Sequence, residues 1–444
     1  MTVEELRKIV KENGIAGAGG AGFPTYMKID ARANTILMNC AECEPLLRLH
    51  RQLLKVHAKE IVRTFAIIAD VLGAQEAIIG VKERYKSTIE ALYQYVPQYP
   101  KVRIQLLSGS YPMGDEVVLI YEATGKVISP GGLPIEAGVA VFNVETVYNI
   151  YRALEENTPV VDKVVSVVGE VQSPVTVRVP IGTPLSEVVA MAGGEKNIDK
   201  ELVYLVGGPM MGRIGSRYDV VTKTTNGILV LPKDHLIIQK KQMPASVGVK
   251  RAASACCQCQ MCTDLCPRHN LGHPIEPHRF MRAMSNNQYE DLDAFLNLFF
   301  CSGCGLCEMF SCPQGLSPRT LIMECKDGLR KAGLKAPKEV DQSSVKEARE
   351  YRKVPENRLE ARLGLTKYET QAPLDDTVRA TMRVRIPFSQ HIGVPAQCIV
   401  AKGDSVKRGQ VIAQATEGLC VPVHASLCGT VTDITDRYLE ITRQ

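Results

Sequence analysis

The chain has 444 residues and a mass of 48.7 kDa, too long for one compact core and consistent with about three domains. Hydrophobic residues make up 45% and charged residues 23%, which excludes a collagenous or wholly disordered polypeptide. Lys plus Arg exceed Asp plus Glu by 53 to 48, and a net +5 spread along the chain does not point to a nucleic-acid partner. No apolar run is long enough to span a bilayer, and MTVEELRKIVKENG lacks the apolar core of a signal peptide, so a soluble cytoplasmic protein is expected.

In chain order, residues 1–158 read as an α/β domain. A helix over Val3 to Glu12 leads into the glycine-rich loop GAGGAGFPT, after which EIVRTFAIIADVLG has helical periodicity and EAIIGV reads as a strand. Residues 159–215 form a small β module with VVSVVGEV, a turn at QSP, VTVRVP, and a short helix opened by Thr183 and Pro184 and stopped by Gly193 and Gly194. Residues 216–249 read as a connector. Over 250–335, cysteine loops alternate with helical stretches such as PHRFMRAMSNNQYEDLDAFLNLFF. The charged run in 336–380 (KEVDQSSVKEAREYRKVPENRLEARLG) reads as a solvated linker. Residues 381–444 break into short β segments at KGD, KRG and Cys428-Gly429, giving an all-β module.

The fifteen cysteines carry the strongest chemical signal, because clustered thiols in a reducing compartment are metal ligands or reactive groups rather than disulfides. Cys256, Cys259, Cys262 and Cys266, followed by Pro267, match the bacterial ferredoxin run C-x2-C-x2-C-x3-C-P. Cys301, Cys304, Cys307 and Cys312, followed by Pro313, repeat it with one extra residue before the last cysteine, and Gly303 and Gly305 ease the turn. In two-cluster ferredoxins the last cysteine of each run serves the other cluster. One [4Fe–4S] centre is therefore assigned to Cys256, Cys259, Cys262 and Cys312, and the second to Cys301, Cys304, Cys307 and Cys266. Structural zinc is the alternative, but zinc ribbons separate their cysteine pairs by longer stretches. Cys257 and Cys325 fall outside the pattern and read as packing residues.

Gly17, Gly19 and Gly22 satisfy G-x-G-x-x-G, but the loop follows a helix rather than a strand, so the spacing alone does not establish a dinucleotide site. Its bare backbone suits a phosphate or planar ring, and a plain flexible loop is the alternative. GAGGAGFPTYMK, NCAECEP, YPMGDE and FNVET, in that order, resemble segments of the NADH-binding flavoprotein subunit of respiratory complex I. They are more similar still to the C subunit of Rnf ferredoxin:NAD oxidoreductases and to the cobalamin reductases of propanediol-utilising microcompartments. VVSVVGEVQSPVTVRVPIGTPLSEVV resembles the soluble-ligand-binding β-grasp (SLBB) module of these proteins.

The resemblance implies a Rossmann-like FMN/NADH domain, with Gly17, Gly19, Gly20, Gly22 and Lys28 about the flavin phosphate and ring. Asn39, Glu42, Tyr111, Asn143 and Thr146 would complete the pocket. Lys28 would pair with phosphate or the reduced ring, whereas read alone it is a solvated surface lysine. Glu44, Asp115 and Glu116 match acidic positions near the nicotinamide nucleotide; read alone they are exposed carboxylates.

The last module resembles the barrel-sandwich hybrid of biotinyl and lipoyl carriers, but its hairpin tip, ATEGLCVPVHAS, lacks the carrier lysine, so a docking or structural role is expected. His391 and His424 are isolated and read as structural hydrogen-bonding residues. A module closing the chain is the arrangement of the microcompartment enzymes. The parts describe a multidomain α/β protein, and the resemblance implies that it passes electrons from NADH through FMN and two [4Fe–4S] clusters to a corrinoid. No side chain is assigned as a catalytic acid or base. A corrinoid-handling adenosyltransferase and microcompartment shell or lumen proteins are the implied partners. A component of a membrane-associated Rnf-type complex and a non-catalytic electron-carrying scaffold are the alternatives.

Overall fold

A computed structural model describes residues 1–197, 199–338, 340 and 342–443. The first helix, Val3–Glu12, starts at a capping box in which Thr2 accepts the Glu5 amide and Glu5 accepts the Thr2 amide. Beyond the glycine-rich loop, the strands Val102–Leu107, Glu76–Lys82, Thr35–Cys40 and Val139–Asn143 lie side by side in that order, all parallel. Alternate residues of Thr35–Cys40 face opposite cores: Ile36 and Met38 meet Phe65 on one side, and Leu37 meets Val118 and Leu119 on the other. The helices Ala58–Leu72 and Val144–Glu155 cover the first face, and Glu116–Thr124 covers the second. Both faces being buried is the ordinary state of a parallel sheet, and its ligand crevice lies outside the carboxyl ends of the strands. Asn39 and Asn143 stand at those ends.

The second sheet is larger than the sequence implies. Its six strands run Leu374–Val378, Val175–Pro180, Asp162–Gly169, Gly227–Pro232, Leu202–Val206 and Arg213–Gly215. Gly227–Pro232, inside the expected connector, is a central strand whose six residues are all buried. A short continuous apolar run without alternation carries little local signal, and burial on both faces explains it.

The charged segment also differs from a solvated linker. Its Val354–Pro355 pairs with Ser110–Tyr111, and its Leu374–Val378 adds an edge strand to the second sheet. Its charges are partnered across the fold: Glu356 accepts from Lys82 at 2.6 Å and Arg84 at 2.7 Å, Arg349 meets Glu122, and Asp376 meets His57 and Arg178. Lys82 is fully buried and Glu356 is 3% exposed.

The cysteine region is helical, with Ala245–Ala255, Pro277–Ser285 and Pro318–Lys331 packed around Phe280, Leu298, Leu321 and Ile322. The closing module is two small sheets, and its Val384, Ile386 and Val423 join the same core as the first domain. Among the described residues no helix is long and apolar enough to cross a membrane. The Lys82–Glu356 pair yields a direct expectation. Glu356→Gln leaves Lys82 buried without its counter-charge and should destabilise the protein by about 3–5 kcal/mol. Urea denaturation followed by circular dichroism measures this, and an unchanged midpoint would show that the pair does not hold the charged segment against the first domain.

Candidate cofactor sites

The glycine-rich loop is tied down at both shoulders. Gly17 donates its amide to Phe23 O at 2.9 Å, and Ala18 donates to Thr146 Oγ1 at 3.0 Å. Between these ties, the amides of Gly19, Gly20 and Ala21 have no hydrogen-bond partner among the described residues. A side chain at Gly19 would come within 2.9 Å of Asn226 Nδ2, while a side chain at Gly20 would project into open space. The loop therefore presents free donors to a cavity with about 1480 Å³ of empty volume, part of it open to solvent.

Gly17, Gly19, Gly20, Lys28, Asn39, Glu42, Glu44, Tyr111, Asp115, Glu116, Asn143 and Thr146 all line this cavity. Gly22 does not. It has a φ of 68°, and a Cβ there would sit 2.6 Å from Thr224 Cγ2 and 3.2 Å from His391 Cα. Its bareness serves a close approach of three chain segments behind the loop. Phe23, Cys43, His50, Asn226, Ser302 and Cys304 line the cavity without having been singled out from the sequence as pocket residues. Cys43 lies within NCAECEP, His50 follows that motif, and Ser302 lies between Cys301 and Cys304 in the second ferredoxin run; Asn226 carries no local pattern.

The polar groups hold one another in place. Lys28 donates to Glu116 Oε1 at 3.1 Å and to Val141 O at 2.9 Å, so it is not a free surface lysine. Asn39 donates to Gly114 O at 3.0 Å, and Cys43 Sγ accepts the Gly114 amide, pinning NCAECEP against YPMGDE. Glu42 accepts the amides of His50 and Arg51 at the start of helix Leu49–Val56, and burial raises its pKa. Glu44 accepts the amides of Met210 and Met211 at 2.8 and 2.7 Å, and burial raises its pKa too. Asp115 caps helix Glu116–Thr124 and pairs with Arg268. All three carboxylates that read as exposed from composition have partners. Deeper in the wall, buried Lys163 pairs with Glu145 and donates to Asn226 Oδ1 at 2.8 Å. His50 Nε2 is buried without a hydrogen-bond partner, 4.0 Å from Glu145 Oε2.

The structure sorts the ferredoxin-run cysteines around two further cavities. Cys256, Cys259, Cys262 and Cys312 line one; Cys266, Cys301, Cys304 and Cys307 line the other. Among the described residues no three His, Cys, Asp or Glu side chains gather about a single ion position. The thiols instead surround a space, an all-sulfur donor set of the kind iron–sulfur clusters take. Gly303 and Gly305 have φ of 71° and 81°, which lets the second loop turn tightly under them. Cys257 is exposed and lines the first cavity, so it is not a packing residue; Cys325 packs half-buried against the helical core. Cys304 and Ser302 line the second cysteine cavity and the glycine-loop cavity at once, and Tyr111 donates its hydroxyl to Cys304 O at 2.5 Å.

Of the two C-terminal histidines, His391 is hydrogen-bonded, while the buried Nδ1 of His424 has no hydrogen-bond partner among the described residues. His391 Nε2 accepts the Val421 amide at 3.3 Å, and His424 is buried beside Lys223, whose ammonium donates to Gly14 O and Pro422 O. The closing module also reaches the glycine loop directly, where Ile392 donates to Ala21 O at 3.0 Å.

A bare-backbone cavity sharing a wall with one of two four-thiol cavities defines a flavin and iron–sulfur oxidoreductase. Comparison with known families agrees along the chain. Residues 10–152 match the Nuo51 FMN-binding domain, 164–214 the SLBB domain, 255–317 the 4Fe-4S dicluster domain and 365–444 the RnfC barrel sandwich hybrid domain. The chain is 40% identical to "Cobalamin reductase PduS" of Salmonella typhimurium over 445 residues, covering 100% of this chain and 97% of that protein. It is 40% identical to the protein of that name from Citrobacter freundii, covering 99% and 97%. The C subunit of an ion-translocating oxidoreductase complex from Edwardsiella ictaluri is 34% identical over 276 residues, covering 61% of this chain and 33% of that protein. The chain belongs to the cobalamin reductase family.

Two buried histidines set a pH dependence. Burial, reinforced by Lys163, pulls His50 from 6.5 to about 3, and burial with Lys223 pulls His424 from 6.5 to about 3. The folded chain keeps both neutral while the unfolded chain takes up protons below 6.5. Stability is therefore full above pH 6.5 and falls as the pH drops toward 3. In a denaturation series, His50→Gln should flatten this acid slope by about 1.4 kcal/mol per pH unit. An unaltered slope would show His50 to be protonated in the folded chain.

Proposed function

We propose that the protein is an NADH-dependent cobalamin reductase that passes electrons from NADH through FMN and two [4Fe–4S] clusters to a corrinoid. The observation that carries this reading is the wall shared at Cys304 and Ser302 by the glycine-loop cavity and one cysteine cavity. The residues present fit the groups: free loop amides and Lys28 suit the flavin phosphate, and four thiols per cavity suit a cubane. When bound, FMN supplies the conversion of a two-electron donor to one-electron carriers, and the clusters supply the single-electron steps.

The chain's own part is placement. Gly17, Gly19 and Gly20 leave room against the backbone, Gly22 lets the loop close behind them, Thr146 holds the loop through the Ala18 amide, Asn39 ties its strand end to Gly114, and Asn143 caps the helix that carries Thr146. Glu42 fixes the start of the next helix, and Glu44 and Glu116 anchor the pocket rim to the SLBB loop and to Lys28. Tyr111 ties the pocket to the backbone of Cys304. Cys266, Cys301, Cys304 and Cys307 hold the centre nearer the flavin. Cys256, Cys259, Cys262 and Cys312 hold the farther one, where Cys257 and Cys259 reach the surface.

The corrinoid as acceptor is supported by the likeness to cobalamin reductases along nearly the whole chain. The same likeness supports an adenosyltransferase partner and a place within or on a microcompartment. The Rnf-type reading is weaker, because the C subunits of those complexes match 59–66% of the chain, against 99–100% for the cobalamin reductases.

Anaerobic reconstitution followed by NADH titration, with absorbance, EPR and assays of iron, sulfide and flavin, tests the proposal. One flavin and two clusters per chain are expected. Reduction by dithionite but not by NADH would make the protein a carrier without its own donor site. Cys259→Ala should remove one of the two cluster signals, keep flavin, and leave the other cluster reducible by NADH. Cys304→Ala should remove the other signal and leave the remaining cluster out of reach of NADH.

A further inference from the structure

Between the flavin-type pocket and the nearer cysteine cavity lies a partly buried ion pair, and its acid, Asp115, is one of the residues matched to the nicotinamide site. Arg268, two residues past Cys266, lines the cavity of Cys266, Cys301, Cys304 and Cys307, and Asp115 lines the pocket. Arg268 donates from Nη2 and Nε to Asp115 Oδ2 at 3.0 and 3.3 Å. The two side chains are 17% and 9% exposed. The other carboxylate oxygen, Oδ1, accepts the amides of Val117 and Val118 at 3.1 and 3.2 Å. The helix start thus orients the carboxylate, and the carboxylate orients the guanidinium. Two other cations stand near this cavity, but their partners are backbone carbonyls: Arg319 donates to Gly303 O at 3.0 Å and Lys326 to Cys301 O at 2.9 Å.

A guanidinium keeps its charge at every accessible pH. A four-thiolate centre gains negative charge on reduction, so a fixed cation at its edge favours the reduced form, and poor access of water strengthens the effect. A carboxylate beside that cation opposes it. We propose that Arg268, aimed by Asp115, is a positioning residue that sets the reduction potential of the nearer centre relative to the flavin, Arg268 raising it and Asp115 moderating it. The proposal rests on the cofactor reading given above.

The test is an EPR-monitored redox titration of the anaerobically reconstituted full chain, comparing Arg268→Gln and Asp115→Asn with the unmodified protein. Asn caps a helix as well as Asp, so the second variant removes charge and keeps the cap. Arg268→Gln should move the signal that Cys304→Ala abolishes to lower potential, and Asp115→Asn should move it to higher potential. The signal that Cys259→Ala abolishes should move in neither. Shifts of the same sign, no shift in either variant, or loss of the cluster in both would reduce the pair to a structural clasp and overturn the proposal. Absence of both signals from the unmodified chain would instead overturn the cofactor reading, and this proposal with it.

Discussion

The Tyr111 hydroxyl donating to the Cys304 carbonyl marks the contact on which the rest of the arrangement depends. Transfer between redox groups needs them close together, and this bond fixes the pocket at the end of a parallel sheet against a cysteine loop far along the chain. Tyr111 is 4% exposed, and burial raises its pKa, so the phenol stays a neutral donor. Arg268–Asp115 repeats the join beside it with opposite charges. Two interactions of different chemistry therefore hold one interface, and both involve residues that also line the cavities.

The remaining modules act as braces for that interface. The SLBB loop lends Met210 and Met211 amides to Glu44, and the Met210 carbonyl lies close to Gly305 under the second cysteine loop. The closing module holds the glycine loop through Ile392 and, with Gly14, surrounds the buried ammonium of Lys223. The charged segment returns across the first domain and places Glu356 over Lys82. The barrel sandwich hybrid module thus contacts the glycine loop directly.

Much of this was legible in the chain. The first helix, the hairpin at QSP, the stop at Gly193 and Gly194, and both ferredoxin runs rest on local chemistry, where spacing and turn residues constrain the backbone within a few positions. The motif residues of the pocket were likewise recognisable, apart from Gly22, whose contacts lie behind the loop. The charged stretch misled because an alternating run of Lys, Arg and Glu looks the same whether water or a distant counter-charge neutralises it. Asn226 had no signal, since nothing near it in sequence differs from an ordinary loop, and Ser302 stood out only as a spacer of the ferredoxin run.

The sequence by itself determined the donor chemistry: thiols at cubane spacing, glycines where a backbone must stay bare, and the order of the modules. Only the tertiary structure decided that Cys304 faces two cavities and that Asp115 turns toward Arg268. Local spacing restricts dihedrals over a turn or two, whereas adjacency between segments distant in the chain comes from burying apolar faces together and matching the charges that burial strips of water.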